Sequence, residues 1–125
     1  WDLCVSLYFY LRQNPKLHDS KLANNLNFID FIKVYIEKKP QKQIDFIADE
    51  NGHIIIDYIG KYERLQNDFN EIMNQIGLNA EPLPQKNISK SRPNHDYRGY
   101  YNDDTTELVG HYFHSDIEKF NYSFE

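Results

Sequence analysis

Ile54-Ile55-Ile56-Asp57-Tyr58-Ile59 opens on three consecutive isoleucines and never settles into polar alternation. A strand with one wet face alternates apolar and polar residues, so this run predicts a strand covered on both faces, as inside a parallel sheet. Upstream lie Asp49-Glu50-Asn51-Gly52 and the apolar run Ile44 to Ala48. Asn-Gly between apolar runs is a strong local hairpin signal. Downstream, Glu63 to Ile76 carries Leu65, Phe69, Ile72, Met73 and Ile76 on one stripe, and Gly77 sits where a left-handed helix cap belongs. A strand covered on both faces needs neighbours that the rest of this chain barely supplies, and an unpaired apolar edge invites association.

Working outward, Trp1 to about Gln13 places Leu3, Leu7, Tyr8, Tyr10 and Leu11 near helical spacing, with Asn14-Pro15 as the stop. Residues 15 to 26 are polar and read as a loop. Phe28, Phe31, Ile32, Tyr35 and Ile36 follow the i, i+3, i+4, i+7, i+8 pattern, with Asn27 as N-cap and Pro40 as terminator. Leu78 to Asn94 holds Pro82, Pro84 and Pro93 and reads as a loop. A last helix is expected from a capping box at Asp104-Thr-Thr-Glu107 to about Lys119, with Leu108, Val109, Tyr112, Phe113 and Phe120 on its apolar side. Tyr122 and Phe124 would dock the C-terminal residues.

Ten tyrosines and eight phenylalanines in 125 residues supply enough apolar bulk for a packed core and argue against disorder. The formal charge of −5 opposes nonspecific nucleic-acid binding, which needs surplus Lys and Arg to displace counterions. Cys4 is the sole cysteine, which excludes an internal disulfide and a cysteine-based zinc site and predicts a buried apolar role. No apolar run approaches the roughly 20 residues that span a bilayer, and Trp-Asp-Leu-Cys lacks the features of a signal peptide. The start lacks Met, which suggests a truncated chain. No internal repeat is visible.

Lys86, Lys90, Arg92 and Arg98 fall within thirteen residues, interleaved with Ser89, Ser91, His95 and Tyr97 and opposed nearby only by Asp96. In an acidic chain this is a local anion-attracting stretch, or else a solvated surface loop. His111 and His114 share a predicted helix but no third ligand motif accompanies them, so no metal site is expected. No glycine-rich loop ending in Lys-Ser or Lys-Thr occurs.

The order of Gln43 to Asp49, the Glu50-Asn51-Gly52 turn, Ile54 to Phe69, Asn87-Ile-Ser-Lys-Ser-Arg92 and Asp116-Ile-Glu-Lys-Phe-Asn-Tyr-Ser-Phe124 resembles the C-terminal half of one enzyme family. This is the sulfotransferase family that includes the Golgi carbohydrate sulfotransferases and related bacterial proteins. The resemblance implies transfer of a sulfuryl group from 3′-phosphoadenosine 5′-phosphosulfate (PAPS) to an acceptor hydroxyl, with a glycan as acceptor and no metal. The implied fold is α/β, the C-terminal part of a P-loop-like three-layer sulfotransferase fold, mostly helical here with a short hairpin or strand pair. Residues 1–125 would then be part of one domain, partnered by an N-terminal phosphosulfate-binding part upstream of Trp1.

The opening Trp-Asp-Leu-Cys-Val-Ser-Leu-Tyr resembles the end of the family's 3′-phosphate motif, with Ser6 and Tyr8 on its Ser and Tyr positions. The motif's leading Arg and Pro would precede Trp1, and Leu3 stands where a second Arg is usual. Asn87, Ser89 and Lys90 match the loop that closes over the adenosine bisphosphate, Ser91 replacing a glycine of some members. Tyr62, followed by Glu63, resembles the aromatic-Glu pair near the adenine, although Glu63 also suits a helix N-terminus and Tyr62 a core. The Lys-bearing phosphosulfate loop and the acceptor-activating base of the family have no counterpart here, so catalysis by the chain alone is not expected. The resemblance leaves the compartment open, cytoplasmic for bacterial relatives and Golgi membrane for eukaryotic ones. The rival reading is a noncatalytic anion- or nucleotide-binding module or a helical interaction module.

Overall fold

The computed structural model describes residues 1–85 and 92–125. Among them the chain forms α1 (Asp2–Gln13), α2 (Ser20–Asn25), α3 (Phe28–Glu37), α4 (Leu65–Gln75), α5 (Asp103–Tyr112) and α6 (His114–Phe120). Short 3-10 turns lie at Ile44–Phe46, Tyr62–Arg64 and Tyr97–Tyr100. Two compact units result: the described residues of Trp1–Phe46 and Ser89–Glu125, and those of Ile47–Ile88.

The first unit is built on aromatic packing. Val5 of α1, Phe31 and Ile32 of α3 and Val109 of α5 are almost wholly removed from solvent, joined by Cys4, Tyr8, Phe9, Leu11, Ala23, Phe28 and Ile36. Tyr8 is the hub. Its ring meets those of Phe9, Phe28 and Phe31 at 5.2, 5.6 and 5.1 Å, and its hydroxyl donates to the Leu26 carbonyl at 2.9 Å. Burying the ring while satisfying its one polar atom is what makes a tyrosine usable in a core. Asn27 caps α3 by accepting from the Asp30 N–H at 2.9 Å, and the chain leaves the helix through Lys39 at φ +53° before Pro40.

The C-terminal residues close this unit. Trp1 Nε1 donates to the Thr106 carbonyl at 3.2 Å, and the Tyr101 hydroxyl donates back to the Trp1 carbonyl at 2.9 Å. Phe124 docks edge-on against the rings of Trp1, Tyr97 and Tyr101 at 5.4, 5.7 and 5.6 Å. Asp116 is buried and accepts from the backbone N–H groups of Gln43 and Ile44, each at 2.9 Å. One carboxylate thereby ties α6 to a turn more than seventy residues earlier.

The second unit is organised differently. At Asp49–Gly52 the carboxylate of Asp49 accepts from the N–H groups of Asn51 and His53 at 2.9 and 2.8 Å, and Gly52 takes φ +80°, a value that favours glycine. An isolated antiparallel bridge joins Ala48 to Ile54. Helix α4 ends as its sequence suggests, with Gly77 at φ +75°, its N–H bonded to Asn74 O at 3.1 Å and Leu78 N–H bonded to Met73 O at 2.8 Å. Those two bonds are the Schellman closure. Asp68 of α4 accepts from Lys61 N–H at 2.7 Å and pairs with Arg64 at 3.2 Å. Gln66 holds the following extended segment by accepting from Leu83 N–H at 2.7 Å.

The expected α/β, P-loop-like three-layer fold is overturned: among the described residues there is no strand and no sheet, and the secondary structure is helical. The hairpin shrinks to its turn and one bridge. Ile54 to Ile59 is no buried strand, since Ile55, Ile56 and Ile59 are 67%, 40% and 39% exposed. The physical reason is pairing. A strand buried on both faces needs a hydrogen-bond ladder at each edge and a layer on each side, and no described segment supplies them.

Smaller corrections follow the same logic of tertiary choice. Residues 15 to 26 contain a helix, α2, held to α1 by the Arg12 guanidinium, which donates to the Ala23 carbonyl at 3.4 Å. The buried face of α1 is Cys4, Val5, Tyr8, Phe9 and Leu11, while Leu3 and Tyr10 are about half exposed. Apolar residues surround most of this helix, so spacing alone left its inward side undecided. The capping box of α5 is Asn102 with Thr105, two residues before the one expected, and Phe113 splits the last helix in two.

Candidate functional site

Helix α1 carries Asp2 and Ser6 at i and i+4, hence on one side of the helix. Arg92 lies against that side. Its Nη1 donates to Ser6 Oγ at 3.4 Å and its Nη2 pairs with Asp2 Oδ1 at 2.8 Å, residues 86 and 90 positions away in the chain. The same guanidinium folds its own segment around itself, with Nε donating to Asn94 O at 2.8 Å and Nη2 to His95 O at 2.7 Å. Tyr100 completes the cradle. Its ring lies 5.8 Å from the guanidinium, its hydroxyl exchanges hydrogen bonds with the Asn94 backbone, and its edge packs on Phe9.

The electrostatics are those of a held cation. The Arg92 side chain is only 7% exposed, whereas that of Asp2 is 49% exposed. A guanidinium this deep requires a partner anion, because an unpaired buried charge is costly. Arg98, the other described cation of the basic stretch, is engaged by Asp96 through two contacts at 2.8 Å. Hydrogen bonding to Arg98 holds the Asp96 carboxyl below its usual range. Both described cations of the stretch therefore carry a carboxylate. Sequence inspection found Asp96, which is adjacent, and missed Asp2, which only folding brings near.

The residues nominated from sequence fare unequally. Ser6 is half-buried and touches Arg92, the described end of the basic stretch. Asn87, Ser89 and Lys90 lie outside the described residues. Tyr62 belongs to the second unit, where it begins a 3-10 turn and is 82% exposed, so it is not a core residue there. Tyr8, beside Ser6 in the motif, is spent on packing. His95 contributes its carbonyl to Arg92 and is exposed.

Chemically, the Asp2–Ser6–Arg92 cluster is a guanidinium shared between a carboxylate and a hydroxyl. A guanidinium fork matches paired oxygens, and Ser6, by accepting from Arg92, keeps its own proton to donate. It holds no activated nucleophile. The nearby Cys4 thiol is buried, and burial raises its pKa, keeping it protonated. Burial likewise raises the pKa of Tyr101 far above that of a free phenol. Among the described residues no group of His, Cys, Asp and Glu could hold a metal ion.

In comparisons with known proteins, no family model and no solved structure matches the chain. An uncharacterized protein of Archaeoglobus fulgidus is similar to it, 32% identical over 84 residues that cover 65% of this chain. The chain spans 63% of the length of that relative.

Proposed function

We propose that this chain is the C-terminal part of a PAPS-dependent sulfotransferase that acts on a hydroxyl, with a carbohydrate as acceptor class. The reading rests on the order of motifs described above and on one geometric observation, the meeting of Ser6 with Arg92 across the chain. In this reading Ser6 and Arg92 hold the 3′-phosphate. Arg92 takes the place of the guanidinium that Leu3 leaves out. Sulfuryl transfer resembles phosphoryl transfer, in which positioning and neutralisation of the leaving phosphate dominate, and both come from cations and hydroxyls of this kind.

The second reading, a noncatalytic helical module that binds an anion or nucleotide, is favoured by the helical secondary structure of the described residues. Calorimetry with adenosine 3′,5′-bisphosphate, together with an assay of PAPS turnover, separates the two from a chain with no ligand at all. Binding that falls at least tenfold in Ser6→Ala and Lys90→Ala, with Lys21→Ala unaffected, supports the sulfotransferase site; charged hydrogen bonds of roughly 1.5–3 kcal/mol each set that scale. No binding, or equal loss in the Lys21→Ala control, overturns it. PAPS-dependent turnover by the 125 residues alone would overturn the assignment of the catalytic parts to another segment.

A further inference from the structure

We propose that Asp2 is a built-in competitor for the ligand of Arg92, a carboxylate that occupies the guanidinium until a phosphate displaces it; this rests on the anion-site reading of Ser6 and Arg92. The geometry is that of a latch. Two of the contacts of Arg92, to Asn94 O and His95 O, come from its own segment and fix the side chain. The other two reach across to Asp2 and Ser6, one turn apart on α1. Asp2 is the solvent-accessible member of the ion pair, 49% exposed against 7% for Arg92. An anion arriving from solvent thus meets the carboxylate first and must exchange with it.

Exchange is chemically balanced. A guanidinium edge held by one carboxylate oxygen can donate to a phosphate oxygen in its place, with Ser6 donating to a second oxygen, while Asp2 swings out to water. A ligand that brings two negative charges outcompetes one carboxylate, and a monoanion barely does so. Asp2 therefore sets a selectivity for dianionic phosphate and keeps the buried arginine compensated when the site is empty.

The test is calorimetry on the 125-residue chain with inorganic phosphate and with adenosine 3′,5′-bisphosphate. Four proteins are compared: the parent, Asp2→Asn, Arg92→Gln and the double variant. Removal of the competitor is expected to tighten both ligands by up to about fivefold, the range set by a partly exposed ion pair, and the gain should vanish when Arg92 is also replaced. If Asp2→Asn tightens inorganic phosphate but the bisphosphate binds no better than phosphate, the latch stands and the nucleotide reading fails. If the parent binds the bisphosphate and Asp2→Asn binds it equally or more weakly, the latch is overturned and the nucleotide site stands. If no protein of the set binds either ligand, both are overturned. Asp2→Ser, which retains a residue suited to a helix start, serves as the second variant should Asn perturb folding, checked by far-ultraviolet circular dichroism.

Discussion

In proportion to their length the two compact units of this chain are about equally supplied with large apolar side chains and use them in opposite ways. In the first, α1, α3 and α5 bury Val5, Phe31, Ile32 and Val109 completely or nearly so. In the second, the buried residue among those described is a carboxylate, Asp68, while Ile55, Ile76 and Leu78 are 67%, 62% and 55% exposed. Apolar content did not decide the outcome. Helical spacing lets a side chain meet a partner on another helix, whereas a continuous apolar run is useful only when other segments pair with its backbone. The first unit is held by packing, the second by turns, a Schellman closure and single side chains that grip backbone groups.

The sharpest way to break this contrast is truncation of apolar residues in each unit. Phe31→Ala should lose about 3–5 kcal/mol in denaturant unfolding, because a fully buried ring packed against Tyr8 and Tyr35 leaves a cavity. Ile55→Ala should change stability by less than about 0.5 kcal/mol. A comparable loss at both positions would mean that the second unit has a core of its own. Amide hydrogen exchange gives the same contrast without mutation, slow at α1 and α3 and fast at residues 54–59.

Next in size are the gripping carboxylates. Asp116→Ala leaves the part-buried N–H groups of Gln43 and Ile44 without their acceptor and should cost about 2–3 kcal/mol by chemical denaturation. Asp68→Ala removes one such backbone bond and the Arg64 pair, with a smaller loss of about 1–2 kcal/mol. An Asp68 effect above that of Asp116 would reverse the ranking of the units. Helix ends come third. Asn102→Ala should cost about 1 kcal/mol through the lost capping box. Gly77→Ala should cost about 1 kcal/mol through the positive φ alone, since nothing stands within 4 Å of the added Cβ.

The smallest expected effect is electrostatic. The Lys38 ammonium, followed by His18, holds the Asp19 carboxyl below its ordinary value. A depressed folded-state pKa stabilises above the unfolded value of about 3.9 and loses that contribution as pH falls through the lower, folded value. Asp19→Asn should therefore lower stability by under about 1 kcal/mol near neutral pH, and the difference should shrink to nothing at strongly acid pH in a melting series. A difference that grows on acidification would contradict the pairing.

Much of the first unit was legible in the residues. Asn27 caps α3, and Phe28, Phe31, Ile32 and Ile36 bury as their spacing predicts; in the second unit Gly77 closes α4. The site was legible only in part. Ser6 and the basic stretch stood out as an anion pattern, but no spacing rule pairs residue 2 with residue 92. Tyr62 looked like either a ligand contact or core and stands exposed at a turn. The Ile54 run misled because its buried-strand reading depends on neighbours, a property of other segments rather than its own.

What the chain's own order of residues determined is local: helical period, the Asn27 cap, the Asp49–Gly52 turn and the glycine cap after α4. Each follows from interactions within about one turn, where sequence separation and spatial distance are nearly the same thing. Only tertiary structure decided which side of α1 faces inward, whether Ile54 to Ile59 pairs as a strand, and that Asp2 and Ser6 share one guanidinium. Those outcomes depend on which distant groups arrive, because burial, backbone pairing and charge compensation are all settled by the partner as much as by the residue.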